Sequence, residues 1–286
     1  MYSANGPVRS MKEWLEYGVG FLEAHQIPDA GTDAWILLEY TANINKNFYY
    51  MHMHEPMDAG DAEDYALLIH RRAEHIPVQY LTGEAWFYGR SFRVNESVLI
   101  PRQDTEVLVE EALKRIRPEM RVLDLCTGSG CILLTVLKEA AVTGVGSDIS
   151  PDALVVAELN RKRLNVQANF ICSDLFEHIG GTFDMILSNP PYICSDVILT
   201  LDPEVRDHEP HLALDGSHDG LFFYRRIVQE APDYLNAGGW LCLEIGYDQG
   251  GELQKLLKES EKFINIQVIR DLSGLDRVAC AQLKGE

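Results

Sequence analysis

Asn189-Pro190-Pro191-Tyr192 follows the apolar run FDMILS, and few residue types are better suited to chemistry at a strand end. Two prolines fix the backbone and remove two N–H donors, leaving carbonyls that only accept. Asn189 adds a side-chain carbonyl. Two acceptors aimed at one point suit an NH₂ group, one for each hydrogen, and Tyr192 offers an aromatic wall to a planar group. The other reading is a rigid loop with a satisfied asparagine. Three earlier stretches belong with it. Asp124-Leu125-Cys126-Thr127-Gly128-Ser129-Gly130 closes a predicted strand, and its glycines let backbone approach a ligand. A dinucleotide fingerprint would want glycine at 133, which is Leu133, so a smaller nucleoside fits better; a plain tight turn is the alternative. Asp148, eighteen residues after Gly130, ends the next strand. It can accept from two ribose hydroxyls or cap the helix that follows. Asp174 can accept from an adenine amino group while Leu175 covers a ring face, though Asp there is also a routine turn residue.

The elements that must position these residues alternate from residue 121 onward. RVLDL, VTGVGSD, ANFICS and FDMILS read as strands, and CILLTVLKEA and PDALVVAELNRKRL as helices. A long loop 193–218, a helix near 220–235, a turn at Gly238-Gly239, strand WLCLEIG, helix QGGELQKLLKES and strands NIQVIRD and RVACAQL complete the run. This predicts an α/β fold: a mostly parallel sheet, helices on both faces, and a ligand at the C-terminal strand ends. Glu244 ends a strand and reads as structural.

Residues 10–75 are different. Ser10 with Glu13 forms a capping box, and Met11, Trp14, Leu15, Val19 and Leu22 share one helical face. Two further runs carry Ala34, Leu37, Leu38 and Ala42, then Tyr65, Leu68, Ile69 and Arg72. Residues 78–101, rich in aromatic and β-branched types, read as one or two hairpins. The expected division is a helical bundle 1–77, a β-hairpin linker 78–101 and an α/β domain 102–286.

The formal charge of −19 argues against gripping phosphates or anionic lipid. It is spread over both regions: −8 in residues 1–85 and −11 in 86–286. No apolar run reaches membrane-spanning length, and the first residues lack the pattern of a leader peptide. Six cysteines without a C-x-x-C pair read as buried thiols in a reducing cytosol, with no metal site. His52 and His54, and the set His208, His211 and His218, read as satisfied or surface histidines.

Together the strand-end residues resemble class I methyltransferases that use S-adenosyl-L-methionine and methylate planar amide or exocyclic nitrogens. A second set narrows the likeness: Gln79 to Gly83, Phe87-Tyr88-Gly89, and Val98-Leu99-Ile100-Pro101-Arg102-Gln103-Asp104-Thr105-Glu106. The last is similar to the "IPRPxTE" signature of the HemK/PrmC family, the release factor glutamine methyltransferases. Asn189 to Ile193, Glu209-Pro210, Asp219-Gly220-Leu221, Leu243 to Gly246 and Asp276-Arg277-Val278 extend the match over roughly 10–283.

The resemblance implies a Rossmann-like catalytic domain with a small N-terminal bundle for substrate recognition. It implies methyl transfer to the glutamine of the Gly-Gly-Gln motif in class I peptide chain release factors, in the cytoplasm, by a monomer with no direct nucleic-acid contact. Asn189 and Pro190 are the expected catalytic acceptors. Pro191, Tyr192, Arg102 and Glu106 are expected to line or brace the substrate cleft, although Arg102 and Glu106 also fit an interdomain salt bridge. The cofactor is expected on Cys126, Thr127, Gly128, Ser129, Gly130, Asp148, Asp174, Leu175 and Asn189. A release factor that binds ribosomal RNA should carry basic surface, which an acidic enzyme attracts. Two residues depart from the family pattern. Gln103 stands where proline is usual. Cys126 stands where glycine is usual, and is expected to keep its backbone out of positive φ. The rival activity is a nucleic-acid N-methyltransferase acting on an exocyclic amino group; a non-catalytic adapter is the rival from another class.

Overall fold

The computed structural model describes residues 9–285, and the expectation about a leader peptide lies outside them. The chain divides in sequence into two compact units, one ending at Gly83 and one beginning at Glu84.

The first unit holds α1 (Met11–Ala24), α2 (Ala30–Ala42), α3 (Lys46–His52), α4 (Ala59–Ala73) and α5 (Val78–Thr82). The capping box forms as the sequence requires: Glu13 N–H donates to Ser10 Oγ at 3.3 Å, and Ser10 N–H to Glu13 Oε2 at 2.7 Å. The apolar faces meet in a core containing Leu22, Leu37, Leu38, Tyr65 and Ile69. Buried Arg72 donates to Asp33 at 2.7 Å, so a charge inside this small core has its partner.

The linker expected over 78–101 is not a separate element. Val78–Thr82 is helical, begins after Pro77 and ends at Gly83 with φ 72°. Val78 and Leu81 fall three apart and enter the core of the first unit, so helical burial overrides strand propensity. The hairpin is shorter, β1 (Glu84–Phe87) and β2 (Arg90–Arg93), and Phe87 and Phe92 enter a core of the second unit.

The second unit continues with α6 (Glu106–Arg115), β3 (Arg121–Leu125), α7 (Cys131–Glu139), β4 (Thr143–Asp148), α8 (Pro151–Leu164), β5 (Asn169–Cys172) and β6 (Phe183–Ser188). Then follow α9 (Ser195–Ile198), α10 (Pro203–His208), α11 (Phe222–Glu230), β7 (Leu235–Glu244), α12 (Gly250–Glu259), β8 (Phe263–Arg270) and β9 (Asp276–Leu283). The sheet order is β5-β4-β3-β6-β7-β9-β8, with β9 antiparallel to both neighbours and the other pairs parallel. Successive strand residues face opposite layers. Leu123, Leu125 and Ile186 meet α11 and α12 through Tyr224, Ile227, Leu253 and Leu257. Val122, Met185 and Leu187 meet α6 and α7 through Leu108, Val109, Ile132 and Leu133.

Three expected elements change form, and the loop expected over 193–218 is the first: it carries α9 and α10. Gly238-Gly239 does not turn the chain; β7 runs through, and the extra residues are absorbed by a register shift opposite Phe183 to Met185. The helix expected to 235 stops at Glu230, and Ala231–Asp233 is a 3-10 turn containing Pro232, which cannot continue the α-helical hydrogen bonds.

Candidate active site

From β3 the chain works outward through β4 to β5, then returns to pair β6 on the other side of β3. That reversal opens a crevice beyond the C-terminal ends of β3 and β6. Leu125 and Ser188 are register partners, and Ser188 Oγ donates to the Leu125 carbonyl at 2.8 Å. The next residues, Cys126 and Asn189, therefore leave the sheet side by side. A cavity of about 230 Å³ opens here.

Its β3 side is the loop Cys126 to Gly130. Asp124, buried beneath it, accepts from Thr127 Oγ1 at 2.6 Å. Burial raises the Asp124 carboxyl to about 7, against the pull of Thr127 and the Leu133 N–H. Gly128 has φ 53°, and Asp148 Oδ2 accepts from its N–H at 2.9 Å. Asp148 Oδ1 accepts from Ser150 N–H at 2.9 Å, and it is Ser150 that caps α8. Burial pushes Asp148 upward too, and these backbone donors oppose it. Gly130 is the left-handed cap of α7, and a Cβ there would meet Leu134 at 3.1 Å. Leu133 packs where a third glycine would stand, against Gly144, whose added Cβ would meet it at 2.6 Å.

The β6 side is Asn189 to Tyr192. Asn189 Nδ2 donates to Thr105 Oγ1 at 3.4 Å. Gln249 Nε2 donates to the Tyr192 carbonyl at 3.0 Å and the Gly220 carbonyl at 3.2 Å, pinning two loops together. A Cβ on Gly220 would lie 2.3 Å from the Tyr192 carbonyl oxygen, so this approach requires glycine. Glu209, buried in the long loop, accepts from Ile100 N–H at 3.3 Å and pairs with Arg102. Burial raises Glu209, and Arg102 opposes it.

The cavity collects Arg102, Cys126, Thr127, Gly128, Ser129, Asp148, Asp174, Leu175, Asn189 and Pro191 from the residues singled out by sequence. Four others lie off its lining. Glu106 accepts from Tyr88 N–H at 2.8 Å and braces the hairpin turn. Gly130 is spent on helix packing, and Pro190 is buried. Tyr192 packs partly on the core, with its hydroxyl donating to Glu244 Oε1 at 3.5 Å. Arg102 pairs inside the second unit and is no interdomain bridge. Asp174 also bonds Arg226 at 2.8 Å. Cys126 corrects a further expectation: its φ is 56°. The chain keeps the left-handed geometry that glycine supplies, at a cost of about 1–2 kcal/mol. Burial, with the nearby Asp148 carboxylate, pushes its thiol up. Cys172 is exposed, unlike the buried thiols expected.

Thr105, Gln249, Glu209, Leu212 and Phe223 complete the surroundings, and their types and spacing in the sequence point to no role. Thr105 and Glu209 stood in quoted motifs, but their partners are more than eighty residues away. Leu212 and Phe223 carried no local signal.

The donor set suits a nucleoside cofactor. Asp148 supplies acceptors at the end of β4, Leu175 and Phe223 supply apolar faces, and buried Ser129 Oγ lacks a partner among the described residues. No group of three or more potential metal-ligating side chains gathers among those residues, and none of their helices is long and apolar enough to cross a membrane.

Comparison with known proteins agrees with this geometry. The family described as PrmC N-terminal domain matches residues 13–83, and that described as Methyltransferase small domain matches 102–199. A methyltransferase structure from Pyrococcus furiosus superposes with TM-score 0.52 at 20% identity, covering 70% of this chain and 91% of that one. The Thermus thermophilus 16S rRNA N2 G1207 methyltransferase, solved with AdoMet and guanosine, gives TM-score 0.52 at 20% identity, covering 70% of this chain and 50% of that one. These two share the fold. A Geobacter sulfurreducens protein named release factor glutamine methyltransferase is 38% identical over 95% of both chains. A Cereibacter sphaeroides protein of the same name is 41% identical over 94% of this chain and 97% of its own. On that likeness, continuous through both units, the chain belongs to the release factor glutamine methyltransferase family.

Proposed function

We propose that the protein transfers a methyl group from S-adenosyl-L-methionine to the side-chain amide nitrogen of glutamine in the Gly-Gly-Gln motif of class I peptide chain release factors. The observation that carries this reading is the setting of Asn189. Its Nδ2 is turned to Thr105 beside the cofactor crevice, which leaves Oδ1 to accept from a substrate NH₂. The names of the relatives supply the substrate.

S-adenosyl-L-methionine, when bound, supplies an electrophilic methyl group. The loop from Cys126 to Ser129, with Asp148, Asp174 and Leu175, would hold it. A glutamine amide is a poor nucleophile because its lone pair is delocalised. Asn189 Oδ1 and the Pro190 carbonyl accept its two hydrogens and stabilise the positive charge that grows on nitrogen. Pro191 fixes that backbone, and Arg102, tied to Glu209, borders the entrance. Orientation in the crevice supplies much of the remaining acceleration. The proton leaves after transfer, so no strong base is required.

The test offers purified release factor, its Gly-Gly-Gln glutamine-to-alanine variant, bulk RNA and DNA to the enzyme with methyl-labelled cofactor. Label is expected in the unaltered factor alone. Label in nucleic acid and none in the factor overturns the proposal.

A further inference from the structure

The segment Asn189 to Tyr192 has a weakness that its own chemistry creates. Pro190 and Pro191 have no N–H, so neither can be tied to the protein by a backbone donor. The carbonyl that meets the substrate amide therefore sits in a stretch that must be held at its ends. One end is the sheet, where Ser188 Oγ donates to the Leu125 carbonyl. The other is Tyr192, and three residues close on its backbone.

Two of them are glycines of one loop. A Cβ on Gly216 would lie 2.7 Å from Tyr192 Cα, and one on Gly220 2.3 Å from the Tyr192 carbonyl oxygen. The third is Gln249, buried just before α12. Its Nε2 donates to the Tyr192 carbonyl at 3.0 Å and to the Gly220 carbonyl at 3.2 Å, and its Oε1 accepts from Gly246 N–H at 2.9 Å. These partners allow one orientation of the amide. Turning it by 180° would set Oε1 against two carbonyls and Nε2 against an N–H. The side chain also leaves a fixed backbone: Gln249 N–H donates to the Gly246 carbonyl at 3.0 Å, and its carbonyl accepts from Leu253 N–H at 3.0 Å.

We infer that Gln249 is a positioning residue for methyl transfer. By holding the Tyr192 carbonyl against Gly220, it sets where Asn189 Oδ1 and the Pro190 carbonyl face the substrate amide. Gln249 lies off the cavity lining, so it acts through the segment and not on the substrate. None of its three side-chain partners belongs to the β3 loop, so cofactor binding does not depend on it. Ile193 is tied separately, its N–H to the Leu214 carbonyl at 3.0 Å and its carbonyl to Gly216 N–H at 2.8 Å. Loss of the Gln249 amide therefore loosens the segment without freeing the long loop. The inference deepens the proposed function and rests on it.

The experiment measures kcat and KM for release factor, cofactor Kd by calorimetry, and Tm, for wild type, Gln249→Met, Gly220→Ala and Asn236→Ala. Gln249→Met keeps the chain length and loses both donors. Gly220→Ala displaces the same carbonyl by contact. Each is expected to lower kcat about 10–100-fold, as misplacement by about an ångström does, with cofactor Kd within about threefold. Asn236→Ala removes a 2.8 Å bond to Asp184, near the start of β6 and so at the end of that strand away from the site. It is expected to lower Tm and leave kcat unchanged. Wild-type kcat in Gln249→Met or in Gly220→Ala overturns the inference. So does cofactor affinity that falls in step with kcat, a misfolded variant included. An Asn236→Ala variant slowed as much at equal loss of Tm overturns it too. Wild-type enzyme inactive on release factor overturns the proposed function itself, and the first measurement separates the two failures.

Discussion

The loops beyond β3 and β6 each stand on a buried carboxylate, and they are assembled in opposite ways. Asp124 and Glu244 are both raised to about 7 by burial, and each has one oxygen without a hydrogen-bond partner among the described residues. Asp124 finds its partners locally, in Thr127 three residues on and Leu133 nine residues on. Glu244 finds its neighbours in Thr105, Tyr192 and Arg277, from three separate parts of the chain. The β3 loop is thus a local motif, rigid in itself, suited to a ligand common to many proteins. The β6 loop is rigid only when α6, β7, β9 and the long loop are in place. Its geometry depends on the completed second unit.

That division of labour can be broken. The largest effect is expected from Asn189→Ala: turnover falls by about 10²–10³, while calorimetry finds cofactor affinity within a few-fold. Asp148→Ala should do the reverse, weakening cofactor binding by roughly 10–100-fold through loss of charge-assisted hydrogen bonds. Its turnover at saturating cofactor should stay within a few-fold. If Asp148→Ala damages saturated turnover as badly as Asn189→Ala, the two loops do not divide binding from chemistry.

The carboxylates give a smaller, pH-dependent effect. Their folded pKa values lie above the unfolded ones of about 4. The folded state then binds the extra protons, so their contribution is fully present below about pH 4 and is lost as pH rises to about 7. Glu244→Gln removes that loss. Its Tm relative to wild type should therefore become more positive from pH 5 to pH 8, by about 3–6 °C. A difference independent of pH would mean that Glu244 is ionised at both ends of the range. The smallest effect belongs to the β3 loop. With φ 56° at position 126, Cys126→Gly should exceed Cys126→Ala in stability by about 1 kcal/mol in denaturant unfolding. The opposite order would place the residue outside the left-handed region.

Sequence reading was strongest where contacts are short in the chain. The capping box at Ser10, the alternation of strands and helices after residue 121, and the strand-end placement of Asp148 and Asn189 all follow from neighbours a few residues apart. The same reading assigned Glu106 to the cleft and Cys126 to ordinary backbone geometry. Each depended on something distant: Tyr88 for Glu106, and for Cys126 the loop geometry between Asp148 and the β6 strand end. Val78–Thr82 became helix because Val78 and Leu81 had a core to enter.

What the sequence determined by itself was the supply of groups and their order: glycines after one strand, an acidic residue after the next, an acceptor-rich Asn-Pro-Pro after a third. Local stereochemistry and hydrophobic period suffice for that. Only the tertiary structure decided which way those groups face. The reversal between β3 and β6 brings Cys126 beside Asn189, and the Asn189 amide donates to Thr105 from before α6. Orientation of that kind is set by hydrogen bonds between residues far apart in the chain, whose pairing exists only once the core has closed around them.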